Sequence, residues 1–195
     1  MAEEHTQAKD DPAVARKRPK PGERRIQILQ ALAAMLEQPG SERVTTAALA
    51  AKLGVSEAAL YRHFASKAQM FEGLIEFIEN SVFSLLNQIA QEPLDAPDKL
   101  RRMLTVLLQF AERNPGMARV MVGDALVFEN DRLHQRMSLF FDKVEANFRQ
   151  VVRDVPGTTP TPTVDAQALA SVAMAFTIGR LHRFARSGYK RSPLE

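Results

Sequence analysis

The sequence predicts an all-α protein in which a small N-terminal helix-turn-helix unit precedes a larger helical body. Three observations carry that prediction. Apolar residues recur three and four apart from Arg24 to Arg186, and nowhere do they alternate in the manner of a strand. A Gly-containing turn divides an Ala-rich stretch from a Tyr-Arg-His stretch within Thr45 to Phe64. The basic excess sits at one end. Residues 1–67 hold 11 Lys/Arg against 8 Asp/Glu, whereas residues 68–195 hold 15 of each. A polyanionic partner should therefore meet the N-terminal part.

The 195 residues, 45% hydrophobic and 25% charged, suffice for a packed core. No apolar run reaches the length of a membrane span and no signal peptide opens the chain. With no Cys, disulfides, thiolate metal sites and thiol catalysis are excluded, and the composition fits a cytoplasmic protein. His5, His63, His134 and His182 are scattered, and there is no Gly-rich phosphate loop and no nucleophile at recognisable spacing from a base. Neither an enzyme nor a metal or cofactor site is expected.

Residues 1–20 read as a mobile basic arm ending in Arg16-Lys17-Arg18-Pro19-Lys20, which either adds phosphate contacts or is a plain solvated tail. The next unit, residues 21–67, begins with a helix whose apolar stripe is Ile26, Leu29, Leu32, Ala33 and Leu36, stopped by Pro39-Gly40. Thr45 is placed to cap the helix Ala47–Leu53, and Gly54 to end it in a left-handed conformation. Ser56 caps the helix expected over Glu57–Phe64. Leu49, Leu53, Val55, Leu60 and Phe64 form the small core. Ser56, Ala58, Ala59, Tyr61, Arg62 and His63 face away and are candidates for a major groove.

Residues 68–195 form the body. Ser66 caps a long helix from Lys67 to about Gln91, and Pro93 and Pro97 bracket a turn. Helices follow over Asp98–Glu112, Met117–Val122 with a possible extension through Phe128, and Asp131–Arg153. The Pro/Thr tract Val155–Thr163 excludes regular structure. A last helix, Asp165 to about Arg186, carries the apolar residues Leu169, Val172, Ala173, Phe176, Leu181 and Phe184. This makes eight helices.

The run Val55-Ser56-Glu57-Ala58-Ala59-Leu60-Tyr61-Arg62-His63-Phe64-Ala65-Ser66-Lys67 resembles the DNA-binding signature of the TetR-type regulators, with its Leu-Tyr-x-His-Phe-x-x-Lys core. The likeness extends into the body. Met70-Phe71, Leu74-Ile75-Glu76-Phe77-Ile78-Glu79, Glu112-Arg113-Asn114-Pro115-Gly116, Phe128-Glu129 with Asp131-Arg132-Leu133, and Phe148-Arg149-Gln150-Val151 resemble the nucleoid occlusion branch of that family. It covers residues 24–153 well and 165–190 more loosely.

The resemblance implies a TetR-like fold and a homodimer on palindromic double-stranded DNA, associated with the nucleoid. There it would antagonise polymers of a tubulin-like cell-division GTPase and block septation over the nucleoid. By position, Thr45, Thr46, Tyr61 and Lys67 look like phosphate contacts, and Ser56, Ala58, Ala59, Arg62 and His63 like groove residues. Tyr61 is alternatively part of the core, and His63 a packing or phosphate-bridging residue. Phe77, Arg113 and Asn114 match the partner groove. Phe77 is otherwise core rim and Arg113 a helix cap.

Two departures stand out. The arm is longer and more basic than the family needs. Only one helix is visible where the family pairs two C-terminal helices across a two-fold axis, although Ala175 and Gly179 would let copies of that helix approach closely. The competing reading is a ligand-responsive TetR-type repressor whose pocket is lined by Met103, Phe110, Met117, Met121, Phe128, Met137, Phe140 and Phe141. That Met and Phe set reads equally as plain core.

Overall fold

The computed structural model describes residues 22–38, 43–153 and 162–195. The basic arm, the Pro39-Gly40 stop and most of the Pro/Thr tract lie outside the described residues. The order is α1 (Glu23–Leu36), α2 (Thr46–Leu53), α3 (Glu57–Tyr61), α4 (Lys67–Gln91), α5 (Ala96–Arg113), α6 (Pro115–Met121), a 3-10 turn (Asp124–Leu126), α7 (Asp131–Arg153) and α8 (Pro162–Arg186). Among the described residues there are no strands.

The three head helices wrap a core of Ile28, Leu32, Leu49, Leu60 and Phe64, each at most 1% exposed. The stripe on α1 is rotated from the sequence expectation. Ile28, Leu32 and Leu36 are buried at i, i+4, i+8, and Ile26 is 58% exposed. In the body, α4 crosses α5 and α7, α7 and α8 form an antiparallel hairpin, and α5 packs against both. The large core side chains include Phe71, Ile75, Ile78, Phe140 and Phe148.

The head is fastened to the body by α1, which lies on α6 and α4. Gly116 makes this approach possible, since a Cβ there would come within 2.3 Å of the Ala33 carbonyl oxygen. Both Arg119 (3.3 Å) and the Tyr189 hydroxyl (3.2 Å) donate to the Leu36 carbonyl, tying the end of α1 to α6 and to the segment after α8. The terminal residues fold back, with Arg180 donating to the Pro193 carbonyl (2.8 Å) and Ser192 to Glu112.

Several boundaries differ from the expectation for local reasons. Helix α5 starts at Ala96, not Asp98, because Asp95 caps the Asp98 amide (2.9 Å) and Pro97 fits a first turn, where no N–H is needed. Likewise α6 starts at Pro115 and α8 at Pro162, so Pro162 and Thr163 are helical. Residues 125–128 do not extend α6. Gly123, at φ 85, turns the chain into the 3-10 turn and leaves Phe128 62% exposed. The apolar residues of α8 divide between two faces. Leu169 (48%), Val172 (66%) and Phe176 (51%) face outward, while Ala166, Ala170, Ala173, Met174, Leu181 and Phe184 face the body.

Candidate nucleic-acid interface

The head is built to hold α3 across α2. Thr45 accepts the Ala48 amide (3.1 Å) and so starts α2. Gly54, at φ 64, ends it with paired bonds from Gly54 N to Ala51 O (3.1 Å) and Val55 N to Ala50 O (3.0 Å), an arrangement that needs the left-handed residue. Ser56 then accepts the Ala59 amide (3.3 Å) to start α3. The Thr46 hydroxyl donates to Glu57 (2.5 Å), binding the two helix starts together.

Helix α3 is shorter than expected. It stops at Tyr61, and the amides of His63 (2.9 Å) and Phe64 (3.1 Å) both return to the Leu60 carbonyl. Arg62 and His63 therefore project from the turn that follows the helix. Of the groove candidates, Ser56, Ala58 and Arg62 are exposed, Tyr61 is 46% exposed, and Ala59 and His63 are half-buried. Thr45 is exposed and Thr46 half-buried, at the start of α2. The structure thus gathers Thr45, Thr46, Ser56, Ala58, Ala59, Tyr61, Arg62 and His63 on the head.

Arg25 is a residue that periodicity alone does not single out. From α1 it donates to the His63 carbonyl and stacks its guanidinium 4.1 Å from the centre of the Phe64 ring. It pins the turn that carries Arg62. Arg24, Ile28, Val55, Ala59, Leu60, Arg62 and His63 line a cleft of about 340 Å³ beside it. Lys67 differs from the other candidates. Its ammonium is paired with Glu129, with the two side chains 18% and 8% exposed, and lies 5.6 Å from the Phe71 ring centre.

The partner candidates form a second cluster. Phe77 is 48% exposed, and its ring lies 6.3 Å from that of Phe110 on α5. Asn114 donates to the Phe110 carbonyl (2.7 Å), and Arg113 beside it is exposed. Phe77 and Asn114 therefore both neighbour Phe110, in the last turn of α5. The ten helical steps from Lys67 to Phe77 span about 15 Å of α4, so the cluster lies a short way from the head. A third feature is the outward face of α8, where Val172 and Phe176 lie along an open Gly179. Among the described residues, no helix is long and apolar enough to cross a membrane.

Residues 28–74 match the family described as bacterial regulatory proteins, tetR family. That is the class of protein the helical fold and the three-helix head define, and its head is a DNA-binding unit. Residues 95–195 match the SlmA-like tetracyclin repressor-like C-terminal domain. The chain is 50% identical over 171 residues to the nucleoid occlusion factor SlmA of Colwellia psychrerythraea, covering 87% of this chain and 86% of that protein. It is 51% identical over 175 residues to that of Photobacterium profundum, covering 88% and 89%. The chain belongs to the SlmA family of nucleoid occlusion factors, a branch of the TetR-type regulators. Among solved structures, a TetR-like transcriptional regulator from Rhodococcus sp. RHA1 superposes with a TM-score of 0.72 at 19% identity, covering 90% of each chain, and shares the fold.

Proposed function

We propose that this protein, as a homodimer, binds palindromic double-stranded DNA sites on the chromosome and, so bound, antagonises polymers of the tubulin-like division GTPase, blocking septation over the nucleoid. The observation that carries the reading is the solvent-facing Tyr61-Arg62 edge of a charge-biased head, in a chain that matches SlmA relatives through head and body alike. Arg62 reads a base edge in the major groove, where a guanidinium can make two hydrogen bonds to guanine. Ser56, Ala58, Ala59 and His63 border that contact. Thr45, Thr46, Tyr61 and Lys67 engage phosphates and set the register.

The dimer forms through the outward face of α8 together with α7. An exposed apolar stripe of Leu169, Val172 and Phe176 beside an open glycine is poorly suited to water and well suited to a close helix contact. The two-helix surface that the family pairs across the axis is then the α7–α8 hairpin. The GTPase engages Phe77, Arg113 and Asn114, with Phe77 as the aromatic anchor. The ligand-responsive repressor reading gains no observation. Met103 and Phe140 are fully buried core residues, Phe140 meets the Phe83 ring at a tilt and the Phe141 ring edge-on, and Phe128 faces outward.

Phe77→Ala separates the two activities. DNA affinity should stay within about twofold, because the residue lies outside the head. Binding of the DNA-bound protein to the GTPase should fall by roughly tenfold or more, as for an aromatic anchor. Unchanged GTPase binding by that variant contradicts the assignment.

A further inference from the structure

Two partners compete for the Lys67 ammonium. The proposed function gives its ammonium to a DNA phosphate, yet in this structure the same ammonium is held by Glu129. Lys67 is the first residue of α4, directly after the head, and Glu129 lies between the 3-10 turn and α7. With side chains only 18% and 8% exposed, the pair is shielded from salt, and neither charge is free for another partner. A phosphate and the Glu129 carboxylate crowded on one ammonium would repel each other.

We propose that Glu129 is a gate on Lys67. In the free protein it withholds the ammonium, and on DNA a phosphate displaces the carboxylate. The inference rests on the assignment of Lys67 as a phosphate contact.

The surroundings say where the release is felt. Lys67–Glu129 is the first rung of a ladder between α4 and the start of α7. The next rungs are Glu72–Arg132 and Glu79–Arg136, the latter at 2.5 Å. The Glu79 partner, helped by Glu76 and Glu72 nearby, raises the Arg136 pKa further, so that rung stays charged. The two later rungs keep α4 against α7 when the first opens. What is freed is the segment Val127–Asn130. It is tied to the 3-10 turn by the Glu129 amide on the Leu126 carbonyl (2.8 Å), and Val127 and Phe128 are each 62% exposed. Occupancy of DNA at the head thereby becomes a change in the body's surface at a loop that does not touch DNA. Glu129 is a positioning residue, acting through Lys67.

The test is a double-mutant cycle on full-length protein, with a duplex recovered by selection against the wild-type dimer. K67Q should weaken binding and lower the slope of log affinity against log salt by about 0.9 per subunit. E129Q keeps the shape and a neutral acceptor but releases the charge. It should tighten binding roughly fivefold per subunit, and should have no effect in the K67Q background. E129Q that keeps wild-type circular dichroism yet leaves affinity unchanged or weaker overturns the gate. So does an equal effect with and without Lys67. An unchanged salt slope for K67Q removes the phosphate contact itself and the gate with it, whereas a lowered slope with a silent E129Q removes the gate alone. Hydrogen exchange of the wild-type Glu129 amide decides the matter even if E129Q does not fold. Faster exchange on saturating DNA supports the gate, and unchanged or slower exchange overturns it.

Discussion

Arg62 stands in the turn after α3, its backbone held by Arg25 through the His63 carbonyl and the Phe64 ring, and its side chain in solvent. Removing a residue so placed should cost the fold little and, on the proposed reading, cost recognition much. Arg62→Ala should lose about 1–3 kcal/mol on a specific site and far less on random-sequence DNA. Titration of both duplexes checks this, and an equal loss on the two removes the groove role. Tyr189 makes the opposite kind of contribution. Its hydroxyl donates to the Leu36 carbonyl, and burial raises its pKa above the ordinary value of about 10, with Arg119 pulling the other way. The folded state thus favours the neutral phenol. That stabilisation is fully present below pH about 10 and is lost as pH rises through the raised value. Tyr189→Phe should cost about 1 kcal/mol at neutral pH. Its melting temperature should then fall less steeply than wild type above pH about 10. The caps at Thr45, Ser56 and Ser66 and the left-handed Gly54 were legible in the sequence, because each depends on neighbours within five residues. Arg25 and Glu129 were not, since their partners lie 38 and 62 residues away.

At the scale of elements, the helices could be read one by one, but the faces of two could not. Periodicity finds a stripe without saying what covers it. On α8 two stripes coexist. Small residues at Ala166, Ala170 and Ala173 pack on the body, and the larger Leu169, Val172 and Phe176 remain outside. Apolar spacing along the sequence does not tell the two sets apart. On the proposed reading a partner helix covers the larger set. On this account Phe176→Glu should leave the helical content of the subunit unchanged and convert dimer to monomer in sedimentation. DNA affinity should drop by roughly 10²-fold as the two heads lose their effective concentration. A dimer that persists moves the interface elsewhere. Prolines misled at α5, α6 and α8 for a related reason. Pro in a first turn stops nothing, and only the caps and the packing distinguish a stop from a start.

At the scale of the whole molecule, charge and geometry divide the chain in the same place. The basic excess belongs to residues 1–67, and the electroneutral body carries the α4–α5 cluster around Phe77 and the apolar face of α8. Backbone and side-chain contacts join the two parts. Helix α1 is seated on Gly116, its end is held by Arg119 and Tyr189, and α4 runs from the head into the body. On the proposed reading these contacts would give a signal from DNA a short route to the Phe77 surface. That coupling is the centre of the account, and sedimentation of division-GTPase polymers in the presence of this protein, with and without its selected DNA site, measures it most directly. The account predicts that polymer mass falls with the DNA present and holds when it is omitted. Equal loss of polymer in both conditions, or no loss in either, would contradict it.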